Sequence, residues 1–257
     1  MKHWTQKFFI DHGEMWLHIM NQMKERGKKN AQAIVKILKK MGIVKGKILE
    51  LGCGNGRVSI PLAKRGFSVT GVDISPLYIQ DAIKRADGAK VEVNFIQGDI
   101  REIDKIIKGN FDVALSIWTS IGYYDKKTDE MIFKRVAKLL KKNGVFLILN
   151  TISREFLMQH YCPTLYEKTE KFIILHEPSF DKFRSIHKDK WIFYKREGRD
   201  LKYINEFELN LRIYSFHELV EMVEKAGFKF IEAYDSINTL EPARFDSSIN
   251  MIFKKIN

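Results

Sequence analysis

The sequence predicts an α/β fold, with a mostly parallel sheet, helices on both of its faces and an antiparallel β insertion. Three observations predict it. An apolar run from Lys47 to Leu51 breaks into glycines at alternate positions, Gly52, Gly54 and Gly56. From there to Asn150, apolar runs alternate with amphipathic segments, the pattern of a parallel sheet covered on both faces. Beyond Asn150 the rhythm changes to strand-like segments without intervening helices. At 257 residues and 45% hydrophobic, the chain suits one large domain with an insertion and can bury a sizeable core.

Residues 4–42 read as helical, because Phe8, Phe9, Met15, Trp16, Ile19, Met20 and Met23 recur at three- and four-residue steps. Ile34, Ile37 and Leu38 mark one face of a second helix. The alternating core then predicts strand 47–51, helix 57–65, strand 68–73, helix 76–86, strand 91–97 and a short turn or helix near 101–108. Strand 111–117, helix 127–142 and strand 144–150 follow. In the insertion, residues 171–178, 186–196 and 201–214 read as three strands. The last alternates Leu201, Tyr203, Phe207, Leu209 and Leu211 with Lys202, Glu206, Glu208 and Arg212. Glu197-Gly-Arg-Asp200 supplies a hairpin turn. Ser215 and Glu218 form a capping box for a helix that stops near Gly227. Strands 228–235 and 248–254 complete a seven-stranded sheet.

The order strand, glycine turn, helix, strand, acid is how a Rossmann-like half binds an adenosine-containing cofactor, here ending on Asp73. The chain must turn sharply and let a ligand touch its backbone, which side chains would block. A dinucleotide fingerprint would place its third glycine at position 57, which is Arg57, so a nicotinamide dehydrogenase is disfavoured. Here the third glycine comes one residue earlier, and Glu50 stands two before the first. That pattern resembles motif I of the class I S-adenosylmethionine-dependent methyltransferases. Three further stretches resemble later motifs of that family, in its order: Gly98-Asp99-Ile100, Phe111 to Ile117, and Leu139 to Leu149. Together they cover about residues 43–150.

The resemblance implies S-adenosyl-L-methionine as cofactor, S-adenosyl-L-homocysteine as product, and an antiparallel pair of terminal strands at the sheet edge. It divides the chain into an N-terminal helical lid (1–42), a cofactor-binding core (43–150), a β-rich substrate cap (151–213) and a C-terminal completion of the core (214–257). Gly52, Cys53 and Gly54 would lie against the cofactor's methionine and ribose. Glu50 would orient the turn or reach the amino group through water. Asp73 would take the ribose diol and Ile74 would pack on adenine. Asp99 would accept from the exocyclic amine while the Ile100 N–H donates to the ring. The backbone near Ser116 and Ile117 would flank the amino-acid end. Either aspartate alone reads as a turn cap; their joint position after strands two and three marks a site. Cys53 reads as a small filler.

Trp16, with Trp4 and Met15 near it, is a candidate to close over the cofactor and attract its sulfonium by a cation–π contact, though such a stripe also serves ordinary packing. Thr119-Ser-Ile-Gly-Tyr-Tyr124 resembles the corresponding run of sugar-amine and glycine-type N-methyltransferases. It makes Tyr123 and Tyr124 the candidate catalytic residues, orienting an amine or hydroxyl or relaying its proton. His160, Tyr161, His176 and His187 lie in or beside the insertion, where a histidine could act as general base.

Composition bounds the partners. The net charge is +12, yet the lysines are dispersed in doublets and no arginine-rich or aromatic-interleaved stripe marks a nucleic-acid groove. Adenine and cytosine methyltransferases need a proline-containing turn or a Pro-Cys pair after strand four. That place reads Ser116-Ile-Trp-Thr, and Cys162-Pro163 is reversed and distant. The two cysteines argue against a disulfide framework or a cysteine zinc site, and no metal is expected. No apolar run reaches the length of a membrane span, and the amino terminus lacks a signal-peptide core. The expectation is a cytoplasmic monomer or homodimer that moves a methyl group to a nitrogen or oxygen of a small molecule by in-line displacement. RNA methylation and a non-catalytic cofactor-binding role are the alternatives.

Overall fold

The computed structural model describes residues 3–256. Met1 and Lys2, at the start of the expected lid, and Asn257, at the end of the expected C-terminal segment, lie outside the described residues. The chain opens with α1 (Trp4–Gln6), a π-helical turn (Lys7–Asp11), α2 (Gly13–Gln22) and α3 (Lys24–Lys40). Then come β1 (Lys47–Leu51), α4 (Ser59–Ala63), β2 (Ser68–Asp73), α5 (Pro76–Gly88) and β3 (Asn94–Gln97). A 3-10 turn (Ile100–Glu102), α6 (Ile103–Ile106), β4 (Phe111–Ile117), α7 (Lys126–Leu139) and β5 (Leu140–Thr151) complete the alternating part. Next are α8 (Arg154–His160), β6 (Leu165–Lys168), β7 (Ile173–Asp181), β8 (Ile186–Glu197) and β9 (Asp200–Arg212). The chain ends with α9 (Phe216–Lys225), β10 (Phe228–Ala233) and β11 (Ile249–Lys255).

One sheet has seven strands in the order β10-β11-β5-β4-β1-β2-β3. β11 runs antiparallel to both β5 and β10, and the other pairings are parallel. Its central strands are apolar on both faces, as covered parallel strands must be. Leu49, Leu51, Ala114, Phe146 and Ile148 pack with Phe133 and Val136 of α7 and Leu219 and Met222 of α9. Their alternate neighbours Ile48, Val113, Leu115, Leu147 and Leu149 pack with Ile34, Ile37 and Leu38 of α3. From β1 the chain proceeds to β2 and β3 on one side, and from β4 to β5 on the other, so the topological switch point lies between β1 and β4.

Several expected boundaries shift. The helix expected over 57–65 spans only Ser59–Ala63, because Arg57 and Val58 still belong to the exit of the glycine turn. The strand expected from 91 begins at Asn94, after Lys90 takes a left-handed φ of 53°. The helix expected to reach 142 stops at Leu139, and Leu140 already pairs with Phe111 of β4. The extra strand residues are accommodated by a bulge, with Asn143 left-handed at φ 62°.

The insertion differs more. Its sheet has four strands in the order β6-β7-β8-β9, not three, and is preceded by a helix, α8. The sequence hid α8 because it is seven residues long and buries only Leu157, so no periodic stripe forms. It starts because the Ser153 hydroxyl accepts from the Phe156 N–H at 2.8 Å and donates to the Ser247 carbonyl at 2.7 Å. β6 escaped because all four of its residues are exposed and nothing alternates. The two-residue turn at Gly198-Arg199 and the Ser215–Glu218 capping box appear as expected. One face of this second sheet, with Ile174, Phe193, Phe207 and Leu209, packs on Phe8, Met15 and Ile19 of the N-terminal segment. That segment therefore lies between the insertion and the carboxyl ends of the large sheet.

Candidate active site

A cavity opens at the switch point. Its floor is the turn after β1, where Gly52 (φ 67°) and Gly54 (φ 55°) are left-handed. A Cβ on Gly52 would stand 2.6 Å from Ser120 Oγ, and one on Gly54 would stand 2.9 Å from Met20 Sδ. Positions 52 and 54 are thus bare of side chains because the space beside each is already filled. Cys53 packs under it, with its Cβ 2.8 Å from where a Cβ on Gly71 would be, so its role as a filler is visible in the packing. The cavity is also lined by Glu50, Asp73, Ile74, Asp99, Ile100 and Ile117, and by Tyr123 and Tyr124. Trp16 and Met20 of α2 cover it. Of the residues expected to bind the cofactor, Ser116 alone stays off the wall, since it sits inside β4 with its hydroxyl buried and without a partner. The remaining space is about 80 Å³.

The acids are held by the backbone. The Gly54 N–H donates to Asp73 Oδ2 at 2.8 Å and the Ser75 N–H to Oδ1 at 2.9 Å. Burial nevertheless pushes the Asp73 carboxyl up to about 6. Glu50, also on the wall, accepts a short hydrogen bond from Ser59 and so fixes the first turn of α4. Burial raises it to about 7, and the buried Cys53 thiol is raised as well. Asp99 is gripped by Arg101, whose Nε donates at 2.9 Å and whose Nη2 donates at 2.6 Å to the same Oδ2. Arg101 lies 4.2 Å over the Tyr124 ring, which stacks on His3 at 4.8 Å. Tyr124 belongs to the Asp99 end, whereas Tyr123 lies deeper, between Trp4 and Phe9. Burial raises both tyrosines, so neither ionises near neutral pH.

A second cavity of about 240 Å³ adjoins the first. Phe9, Trp16, Arg57, Trp118 and Tyr123 border both. Phe8, Trp191, Leu209, His187 and Asp189 close it on the far side. His187 lines this space, and burial lowers its pKa. His176 stands just behind, against Asp189. His160 and Tyr161 are exposed, and neither lines any of these cavities: His160 stacks on Phe156 at 4.2 Å, and the Tyr161 hydroxyl donates to the Pro178 carbonyl. Met15 faces the second sheet and not the cofactor-side cavity.

Three features escaped the sequence. In the sequence Arg57 marks only a missing glycine. Its guanidinium stacks 3.7 Å over Trp118, its Nη1 is buried without a partner, and burial lowers it to about 9. Trp118 and Thr119 are consecutive left-handed residues, both at φ 59°, a strained exit from β4 of the kind that clusters at functional sites. Asp129 ties this loop down: its Oδ2 accepts from the Gly122 N–H at 3.1 Å and from the Tyr214 hydroxyl at 2.7 Å. Burial pushes Asp129 up to about 7.

Residues 48–144 match the family model described as a methyltransferase domain. The ubiquinone biosynthesis O-methyltransferase of Coxiella burnetii is 30% identical over 181 residues, 70% of this chain and 74% of its own. An S-adenosylmethionine-dependent methyltransferase of Clostridium acetobutylicum superposes with a TM-score of 0.80 at 18% identity, over 95% of this chain and 99% of the other. A Micromonospora echinaspora amino pentose methyltransferase, solved with S-adenosylmethionine bound, gives a TM-score of 0.71 at 14% identity, over 92% and 96%. With the strand order, the glycine turn and the acid after β2, these similarities identify the chain as a member of the class I S-adenosylmethionine-dependent methyltransferases.

Proposed function

We propose that this enzyme methylates a nitrogen or oxygen of a small molecule that occupies the 240 Å³ cavity. The observation that carries the reading is the shared wall: five residues border both this aromatic-lined space and the cavity over the glycine turn. The Coxiella relative is named for a small-molecule O-methylation and the Micromonospora neighbour for an amino pentose.

The first cavity fits the cofactor in donor set. S-adenosylmethionine supplies a methyl group on a sulfonium, whose departure leaves a neutral thioether. Asp73 keeps lone pairs free beyond its two backbone bonds, enough to accept from a ribose diol. Asp99 and the Ile100 backbone would read adenine, with Arg101 fixing the carboxylate and Ile74 packing on the ring. Arg57, without a carboxylate partner among the described residues, would pair with the methionyl carboxylate. Trp16 and Met20 must lift to admit a nucleoside, which makes residues 3–23 a lid. Tyr123 stays protonated, so it would position the acceptor by hydrogen bonding and not act as a base. Orientation, worth about 7–11 kcal/mol at best, then carries most of the catalysis.

The test is methyl transfer from labelled S-adenosylmethionine to a panel of small aromatic and sugar amines, phenols and mixed RNA. Label on a small molecule and none on RNA is expected; label on RNA alone contradicts the reading.

A further inference from the structure

We propose that Asp189 anchors a protonated amine of the acceptor, at the end of its cavity remote from the atom that receives the methyl group. The inference rests on the proposed function, because it takes the 240 Å³ cavity as the acceptor's.

Asp189 projects from β8 into that cavity beside His187 and Trp191, and none of the three borders the cofactor-side cavity. Its Oδ2 accepts from Trp191 Nε1 at 2.6 Å and lies 3.0 Å from His176 Nδ1. Its Oδ1 is buried and has no partner. A carboxylate oxygen can only accept, so whatever completes it must donate a proton. Leaving it bare costs more than for a neutral group. The carboxylate's charge favours a cationic donor. Trp191 and His176 turn ring nitrogens, not ring faces, toward the carboxylate, so a cation here is held by the charge of Asp189 itself. A hydroxyl would fill the hydrogen bond but gain far less from the charge.

The opposite wall fixes the direction. With Arg57 paired to the cofactor's carboxylate, Arg26, 5.5 Å from the centre of the Trp118 ring, remains to repel a cation there. An acceptor with an ammonium group is therefore held with that group at the insertion and its other end at the cofactor.

The probes are 2-phenylethylamine, 2-phenylethanol and phenylacetate, which share a frame and differ in charge. Each is titrated by calorimetry into the full-length protein saturated with S-adenosylhomocysteine. The amine should bind at least tenfold tighter than the alcohol, and phenylacetate more weakly than either. Asp189→Asn should reduce amine affinity at least tenfold, leave the alcohol within twofold and leave S-adenosylhomocysteine affinity unchanged. Equal binding of amine and alcohol, preference for phenylacetate, or no binding of the amine overturns the proposal. The ranking in the unaltered protein decides this even where the variant does not fold. Absence of S-adenosylhomocysteine binding in the first step sinks the cofactor reading instead, and the anchor with it.

Discussion

A methyl group on Gly52 has nowhere to go. The residue is left-handed at φ 67°, and Ser120 Oγ would lie 2.6 Å from the new carbon. Gly52→Ala should lower S-adenosylhomocysteine affinity at least tenfold by calorimetry, since alanine adds roughly 1–2 kcal/mol of backbone strain to the clash. Unchanged affinity would mean that the turn is not the cradle. Glu50 gives a pH-linked prediction. Its carboxyl is raised from 4.5 to about 7 in the folded protein, so folding binds its proton more tightly. Its contribution to stability must decline as pH rises through that window and level off above it. Glu50→Gln keeps an acceptor for Ser59 and removes the charge. Urea unfolding over roughly pH 5 to 8 should show the variant gaining on the wild type with rising pH; parallel profiles would contradict the buried-acid account. Gly52, Asp73 and Asp99 were legible in the sequence because each stands at or just beyond a strand's carboxyl end, at a spacing set by the fold. Arg57 and Asp189 were not: Arg57 takes its meaning from Trp118, far along the chain, and Asp189 from an unpartnered oxygen in a cavity that only the fold creates.

The N-terminal segment joins two sites. Phe8, in the π-helical turn, meets Trp191 at 5.6 Å and Phe207 at 5.4 Å, while Trp16 and Met20 on α2 lie over the glycine turn. If the N-terminal segment lifts to admit cofactor, as proposed, its packing on the second sheet is disturbed, so cofactor and acceptor binding should be coupled. Phe8→Ala should cost about 3–5 kcal/mol in denaturant unfolding and also weaken S-adenosylhomocysteine binding. Loss of stability with unchanged cofactor affinity would show that the lid and the second sheet act independently. The helical character of residues 4–42 was readable from its spacing of apolar residues. Which face would meet the insertion was not, because an amphipathic stripe says that something covers it and not what. α8 and β6 were invisible for a related reason, being too short or too exposed to leave a period.

The whole molecule carries +12, spread over separated lysine pairs. Such a surface should hold RNA weakly and without selection, so retention on immobilised RNA should vanish as salt rises from about 50 to 200 mM. Retention that persists there would reopen nucleic acid as the substrate. No helix among the described residues is long and apolar enough to cross a membrane. The parallel core and its order of motifs were plain from the alternation of apolar runs, whereas the two cavities emerge only when the N-terminal segment, the switch point and the second sheet come together. The account stands on the cavity over the glycine turn as the seat of the cofactor. Calorimetric titration of S-adenosylhomocysteine into the wild type and Asp73→Ala tests it most directly. One site per chain and at least a tenfold loss in the variant, with the fold intact, is the predicted result; equal affinity in the two proteins would contradict it.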